Sequence, residues 1–209
     1  IENIRRVCVV GAGVMGSGIT QVFAQAGFET VMVDIAEEFI RKGINNIKNN
    51  LEKAVIKGKL AKEEIEAIIN RIKTTTNLEE AGSEADFVVE AVIEDLNVKK
   101  QVFSQLDQTC KPHVILSSNT STLSITELGS VTKRPEKVVG MHFFNPAPVM
   151  RLVEVVVGAK TSPETVNTVK VLAEKLGKTP VIVKDSPGFI VNRLLNLMVN
   201  EACFLIMES

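Results

Sequence analysis

The chain has 209 residues and a formal net charge of −1; 45% of its residues are hydrophobic and 23% charged, which suits a folded protein with one or two domains. It lacks the basic excess that binds nucleic acid, and no apolar run approaches the roughly 20 residues of a membrane span. Its three cysteines show no CxxC pair and no metal-ligand spacing, so we expect free thiols, no metal site and a cytoplasmic location.

The first third of the chain alternates strands with helices. RRVCVV (5–10) reads as a strand, and Val14–Ala26 as a helix. TVMVD reads as the next strand and ends at Asp34. Residues 36–72 are long, charged and helical, and Gly58 is expected to break them into a helical hairpin.

The middle of the chain continues the alternation. Five further strands are predicted, at DFVVEAV, HVILSS, KVVGMHFF, LVEVVVG and TPVIVKD. Helices are predicted from about 97 to 109 and over SPETVNTVKVLAEKLG, and Ser124 with Glu127 resembles a capping box. Continuous apolar strands joined by helical crossovers indicate an α/β protein with a doubly wound, mostly parallel Rossmann-type sheet.

The end of the chain changes character. Ser186 and Pro187 are typical of a helix start, and from Phe189 to Ile206 the sequence is apolar on nearly all sides. Such a helix requires a covering surface. We therefore predict a dinucleotide-binding domain at 1–186 and the first helix of an all-α domain at 187–209, covered by the remainder of that domain or by another subunit.

The stretch VCVVGAGVMGSG carries the first functional signal. Gly11, Gly13 and Gly16 follow a strand and open a helix, and Asp34 ends the next strand. In that context the pattern is typical of a dinucleotide site: the first glycine allows the turn, the second a close approach to pyrophosphate, and the third helix–sheet packing. The helix start favours the anion, and the Asp34 carboxylate favours NAD over NADP. The alternative is a tight strand-to-helix turn without a nucleotide.

Two residues suggest proton transfer. His142 ends a predicted strand, where open α/β sheets bind ligands, and imidazole titrates near neutrality. Glu154 interrupts the apolar strand LVEVVV and needs a donor partner, which His142 on a neighbouring strand could provide. The alternatives are a structural histidine and a glutamate on an exposed strand edge. His113 begins a strand, at the wrong end of the sheet, and is predicted to be structural.

Other polar candidates stay ambiguous from the residues alone. Ser121 and Asn119 could be turn residues, and Asn192 could hydrogen-bond within a helix pair. Glu94 could start a helix and Lys99 could be solvated. The lysines of the hairpin offer charge for phosphates or a solvated face.

Three motifs, SSNTSTLSI, GMHFFNPAPVMRLVEVV and DSPGFIVNRLL, resemble the 3-hydroxyacyl-CoA dehydrogenase family, most closely its short-chain bacterial members. The resemblance runs from Ile4 to the end. It implies an NAD-dependent oxidoreductase acting on an acyl-CoA such as 3-hydroxybutyryl-CoA or acetoacetyl-CoA. The family's subunits are longer and dimerise through a helical C-terminal domain, so we expect this chain to be truncated there and to form a homodimer when complete.

The resemblance also assigns roles. It makes His142 the acid/base, Glu154 its orienting partner, and Ser121 and Asn192 the holders of the substrate oxygen. It gives cofactor contacts to Val14, Met15, Glu94, Lys99, Asn119, Ser121 and Asn145, beside the glycines and Asp34. It gives substrate or CoA contacts to Asn50, Lys53, Lys57 and Asn145. Two alternatives remain: another Rossmann dehydrogenase, such as a gulonate type, and a dinucleotide-binding protein without turnover.

Overall fold

The computed structural model describes residues 3–208, which form one sheet with helices on both faces. The strands are β1 (Arg6–Val10), β2 (Glu29–Val33), β3 (Ile72–Thr75), β4 (Phe87–Glu90), β5 (Ile115–Ser118), β6 (Val138–Phe143), β7 (Leu152–Val157) and β8 (Thr179–Lys184). The helices are α1 (Val14–Gln25), α2 (Glu37–Ile56), α3 (Glu64–Ile69), α4 (Leu78–Glu84), α5 (Leu96–Thr109), α6 (Ile125–Ser130), α7 (Pro163–Lys175) and α8 (Val191–Glu208).

The strands lie in the order β3-β2-β1-β4-β5-β6-β7-β8. Adjacent strands are parallel except β6 and β7, which are antiparallel. The first six strands follow the order 3-2-1-4-5-6 of the doubly wound dinucleotide-binding fold. The predicted Rossmann-type, mostly parallel sheet is confirmed. Its strand order reverses between β1 and β4, so the ligand crevice is expected at the carboxyl ends of those strands.

Alternate side chains of β1 build the two halves of the core. Val7 and Val9 pack with Phe23 and Phe87 on one face of the sheet. Cys8 lies on the opposite face with Phe103 of α5 and other apolar side chains. Because both faces are covered by helices, the central strand β1 is apolar from Val7 to Val10 instead of alternating.

The helical hairpin forms as expected but is shorter than predicted. Gly58 has a φ of 66° and ends α2, and α3 follows. The prediction of helix up to Ile72 is wrong, because Ile72 starts strand β3 and pairs with Thr30. The β-branched segment IKTT suits an edge strand better than a helix end. Helix α4 was also not predicted.

The last helix begins at Val191, four residues later than Pro187. Gly188 and Phe189 have φ values of 73° and 51°, in the left-handed region, so a right-handed helix cannot pass through them. Helix α8 has no buried residue, and Leu194, Leu197 and Met198 are between 66% and 69% exposed. Among the described residues, no helix is long and apolar enough to cross a membrane.

Candidate active site

The glycine loop after β1 is shaped by contacts that a side chain would destroy. Gly11 has a φ of 110°, and a Cβ at Gly16 would lie 1.8 Å from the Gly11 carbonyl oxygen. A Cβ at Gly13 would meet nothing within 4 Å, so this position opens onto free space. No side chain caps the start of α1. Its first N–H groups, those of Val14 and Met15 included, are therefore available to an anion.

Asp34 follows β2 beside the same loop. Its Oδ2 accepts the Ala12 N–H at 2.6 Å, and its Oδ1 accepts the Ile35 N–H at 2.7 Å. The half-buried carboxylate thus fixes the glycine loop to β2 and retains lone pairs for ribose hydroxyls. An N–H cradle for pyrophosphate next to a carboxylate for ribose fits an adenine dinucleotide.

His142 and Glu154 meet across the only antiparallel pair of strands among residues 3–208. The β6–β7 register places them directly opposite each other, and His142 Nδ1 lies 2.7 Å from Glu154 Oε2. Both residues are buried, at 4% and 1% exposure. The pairing predicted from the isolated carboxylate of β7 is what the structure shows.

Glu154 also holds the start of α8. Its Oε1 accepts the backbone N–H groups of Ile190 and Val191 at 3.1 and 3.0 Å. Both carboxylate oxygens therefore have partners, which explains how a charged group tolerates this burial. The sequence carries no signal for this contact, because it depends on the left-handed turn before α8.

Two phenylalanine rings enclose the His142 ring. Phe144 lies 4.5 Å from it and Phe189 5.8 Å, measured between ring centroids. Phe189 is buried and keeps a left-handed backbone, a conformation that a bulky residue rarely adopts. The sequence prediction missed Phe189 as a site residue.

This arrangement fixes the chemistry of the imidazole. A carboxylate only accepts hydrogen bonds, so Nδ1 carries the proton that Glu154 Oε2 accepts. The other nitrogen, Nε2, has no hydrogen-bond partner in the described part of the chain. Nε2 is therefore the nitrogen that can take up or release a proton.

The loop after β5 connects the predicted polar residues to this pair. Asn119 is buried, and its Oδ1 accepts the Phe143 N–H at 2.8 Å, which ties the ends of β5 and β6 together. Asn192 on α8 donates its Nδ2 to the Ser121 carbonyl at 3.2 Å. The structure thus brings the Asn192 side chain into contact with the backbone of Ser121.

Glu94 holds the loop after β5 through several hydrogen bonds. Its Oε1 accepts the Thr120 hydroxyl at 2.5 Å and the Ser121 N–H at 2.9 Å, and its Oε2 lies 3.3 Å from Lys99 Nζ. Burial would raise the pKa of the Glu94 carboxyl, but the Thr120 hydrogen bond and the Lys99 charge outweigh it and hold the pKa below its usual value.

Lys99 itself is 1% exposed and serves an internal network. Its Nζ lies 2.7 Å from Glu90 Oε1, whose other oxygen accepts the Ser118 hydroxyl at 2.6 Å. Glu90 was not predicted. Its signal was present, since a glutamate in the buried run FVVE needs a partner for the same reason as Glu154.

The remaining predicted residues lie at the rim. Asn145 is exposed on the loop after β6. Asn50 is half-buried on α2, whereas Lys53 on α2 and Lys57 at its end are exposed. None of these four residues forms a hydrogen bond or ion pair with His142 or Glu154. Within the described residues no cluster of three potential metal ligands occurs.

Fold and site together define a dinucleotide-binding oxidoreductase with a histidine–carboxylate pair at the carboxyl edge of its sheet. The family model for the 3-hydroxyacyl-CoA dehydrogenase NAD-binding domain matches residues 6–186. The chain belongs to the 3-hydroxyacyl-CoA dehydrogenase family, and its cofactor is NAD.

Similar proteins agree with this placement. The chain is 48% identical over 197 residues to a 3-hydroxybutyryl-CoA dehydrogenase of Clostridioides difficile, covering 94% of this chain and 70% of that protein. It is 43% identical to a 3-hydroxyadipyl-CoA dehydrogenase of Escherichia coli, covering 96% of this chain and 42% of that one. The crystal structure of an (S)-3-hydroxybutyryl-CoA dehydrogenase from Ralstonia eutropha matches with a TM-score of 0.95 at 43% identity, over 99% of this chain and 72% of that chain.

Proposed function

We propose that this chain carries the reversible oxidation of an (S)-3-hydroxyacyl-CoA to the 3-oxoacyl-CoA, with 3-hydroxybutyryl-CoA and acetoacetyl-CoA as its substrate pair. One observation carries the proposal. The buried His142–Glu154 pair, with 2.7 Å between Nδ1 and Oε2, lies at the end of the sheet where the carboxyl end of β1 leads into the glycine loop. The names of the C. difficile and R. eutropha proteins support the substrate.

When bound, NAD supplies the acceptor for the hydride that leaves C3 of the substrate. His142 Nε2 takes the proton of the 3-hydroxyl, so that the C3–O bond becomes a carbonyl without a free alkoxide. Glu154 holds the Nδ1 proton and stabilises the positive charge that the ring then carries. In the reductive direction the same nitrogen returns the proton to the oxygen.

Ser121 and Asn192 hold the substrate oxygen beside Nε2. The Asn192 Nδ2 donates to the Ser121 backbone carbonyl, and this contact joins the loop after β5 to the start of α8. Asn145 lies on the loop that follows β6, and we assign it a contact with the same substrate. The proposed cofactor contacts come from the glycine loop (Gly11, Gly13 and Gly16), Val14, Met15, Asp34, Glu94, Asn119 and Ser121. The expected direct contact of Lys99 is replaced by an indirect role, because its ammonium is buried and bonded to Glu90 and Glu94.

The acyl-CoA tail is assigned to the helical hairpin. Lys53 and Lys57 are exposed and have no ion-pair partner among the described residues, so their charges are free for CoA phosphates. Asn50, one turn earlier than Lys53, adds a polar contact. Helix α2 of the hairpin packs against α1, α3 and β3.

We also propose a domain boundary at residues 186 and 187, with α8 as part of a helical unit through which two subunits associate. The support is the set of large apolar side chains that α8 exposes, since exposed surfaces of this kind mark interfaces. Free Cys8, Cys110 and Cys203 support a cytoplasmic location.

The test replaces the two histidines separately. His142→Gln should lower the turnover of acetoacetyl-CoA with NADH by about 10²–10⁴-fold, the usual contribution of a general acid or base. NADH binding by isothermal titration should stay near normal. His113→Gln, at the opposite end of the sheet, is the matched control and should keep full activity.

Near-full turnover by His142→Gln would refute the assignment. A parent protein that turns over sugar acids but not acetoacetyl-CoA would favour the gulonate-type alternative. A parent that binds NADH and turns over neither would favour a dinucleotide-binding protein without catalysis.

A further inference from the structure

The loop Asn145–Met150, which follows the catalytic strand β6, combines an exposed tip with a buried anchor. Asn145 and Pro146 are exposed, whereas Ala147 is 2% exposed. The N–H groups of Val149 and Met150 both donate to the Pro146 carbonyl, which curls the loop. This internal turn leaves the Ala147 and Met150 carbonyls to be satisfied from outside the loop.

Lys178 provides that outside partner. It precedes β8, its side chain is buried, and its Nζ donates to the Ala147 carbonyl at 2.5 Å and the Met150 carbonyl at 2.8 Å. No carboxylate pairs with this ammonium within residues 3–208. Burial lowers the pKa of the Lys178 ammonium below its usual value. An amine buried without a counter-charge is unfavourable, so the two carbonyl contacts must offset that cost.

Helix α1 also packs against the Asn145–Met150 loop. A Cβ at Gly18 would lie 3.3 Å from Ala147 Cβ and 3.4 Å from Pro148 Cδ. The loop therefore packs on the helix whose start forms the pyrophosphate cradle. Gly18 stands outside the three glycines of the nucleotide motif, and this close approach is the use the structure gives it.

We propose that Lys178 is a positioning residue: it clamps the Asn145–Met150 loop against α1 and thereby sets the substrate side of the site relative to the bound cofactor. A single ammonium can bind two converging carbonyls, whereas an apolar side chain would leave both unsatisfied. The kinetic part of the proposal rests on the proposed function, because Asn145 acts there at the acyl-CoA site.

The test compares Lys178→Met, of similar length, with Lys178→Arg, which keeps the donors. Lys178→Met should raise the KM for acetoacetyl-CoA about tenfold or more, because the displaced loop loses its contact with the acyl-CoA, and tenfold in affinity corresponds to about 1.4 kcal/mol. The Kd for NADH should change less than about twofold, since the glycine loop is untouched. Lys178→Arg should recover part of the loss, and Lys184→Met, an exposed lysine on β8, should behave like the parent.

A second measurement does not depend on activity. Hydrogen exchange of the Val149 and Met150 amides should become roughly tenfold faster in Lys178→Met, since hydrogen bonds to a charged group are lost, while β6 amides stay protected. Gly18→Ala, which presses on the same loop from α1, should change the same KM in the same direction. Unchanged loop exchange in Lys178→Met would overturn the proposal, as would a parallel loss of NADH binding and substrate binding. If only the proposed function is wrong, the parent protein will not turn over acetoacetyl-CoA. The faster loop exchange in Lys178→Met will still be observed.

Discussion

Replacing Glu154 with glutamine tests what this carboxylate contributes to His142, the proposed acid/base. The carboxylate accepts the His142 Nδ1–H at one oxygen and the Ile190 and Val191 N–H groups at the other. Glutamine keeps the shape but has one oxygen and one NH₂ group, which only donates. If the NH₂ faces the ring, the imidazole must adopt the other tautomer and Nε2 can no longer take a proton. If it faces α8, two N–H groups lose their acceptor.

The magnitude follows from these contacts. A hydrogen bond to a charged group contributes about 1.5–3 kcal/mol, and the site is buried, so water cannot replace the lost partner. For a chain of about 200 residues each kcal/mol shifts the Tm by about 2–4 °C, which gives an expected decrease of about 3–12 °C. Turnover should fall at least about 10²-fold, because one placement of the amide imposes the wrong tautomer and the other leaves no negative charge to stabilise the protonated ring.

Differential scanning calorimetry and the acetoacetyl-CoA assay measure the two effects on one preparation. Glu79→Gln, at an exposed glutamate on α4, is the matched control and should change neither value. NADH binding should also be unchanged in Glu154→Gln. A variant with parental turnover and parental Tm would refute the reasoning, because it would mean that the carboxylate is replaceable at both of its oxygens.

Three further predictions concern the cofactor loop and the sheet edge. Asp34→Ser should weaken NADH binding about tenfold and reduce the preference over NADPH, because a carboxylate that repels a 2′-phosphate is removed; titration with both cofactors measures this. Gly16→Ala should abolish NADH binding and lower the Tm, since its Cβ would lie 1.8 Å from the Gly11 carbonyl oxygen. Burial would raise the pKa of Asp185, but the hydroxyl and N–H of Thr126 help hold it below its usual 3.8. Its stabilisation is therefore present above pH 3.8 and lost as the pH falls through the lower native pKa, so Asp185→Asn should flatten the acid dependence of the Tm in that range.

The fold was predictable because long apolar strands and capped helices carry strong local signals. Helix α5 begins after Asp95, whose side chain accepts the N–H groups of Asn97 and Val98, and Ser124 caps α6 in the same way. Strand β3 was missed because IKTT is four residues long and follows a helical pattern without a break. Its strand state depends on pairing with β2, which local sequence does not encode.

The residues of the candidate site could be predicted where a charged side chain falls within a buried, apolar strand. A glutamate inside an apolar strand demands a donor, and this reasoning led from Glu154 to His142. The same conflict at Glu90, which lies inside the predicted strand DFVVEAV, was overlooked. Phe189 and the N–H groups of Ile190 and Val191 were beyond reach, since their positions follow from a left-handed turn and a tertiary contact.

The contacts of Glu154 explain why this position requires a carboxylate. It must accept hydrogen bonds at both ends: from an imidazole on β6 and from two backbone N–H groups where α8 starts. A neutral amide satisfies one side only, and an apolar residue neither. Because the left-handed turn at Gly188 and Phe189 aims α8 at this carboxylate, the orientation of the helix that carries Asn192 and the tautomer of His142 depend on the same side chain. The proposed proton-transfer residue and the helix proposed to hold the substrate are therefore positioned together.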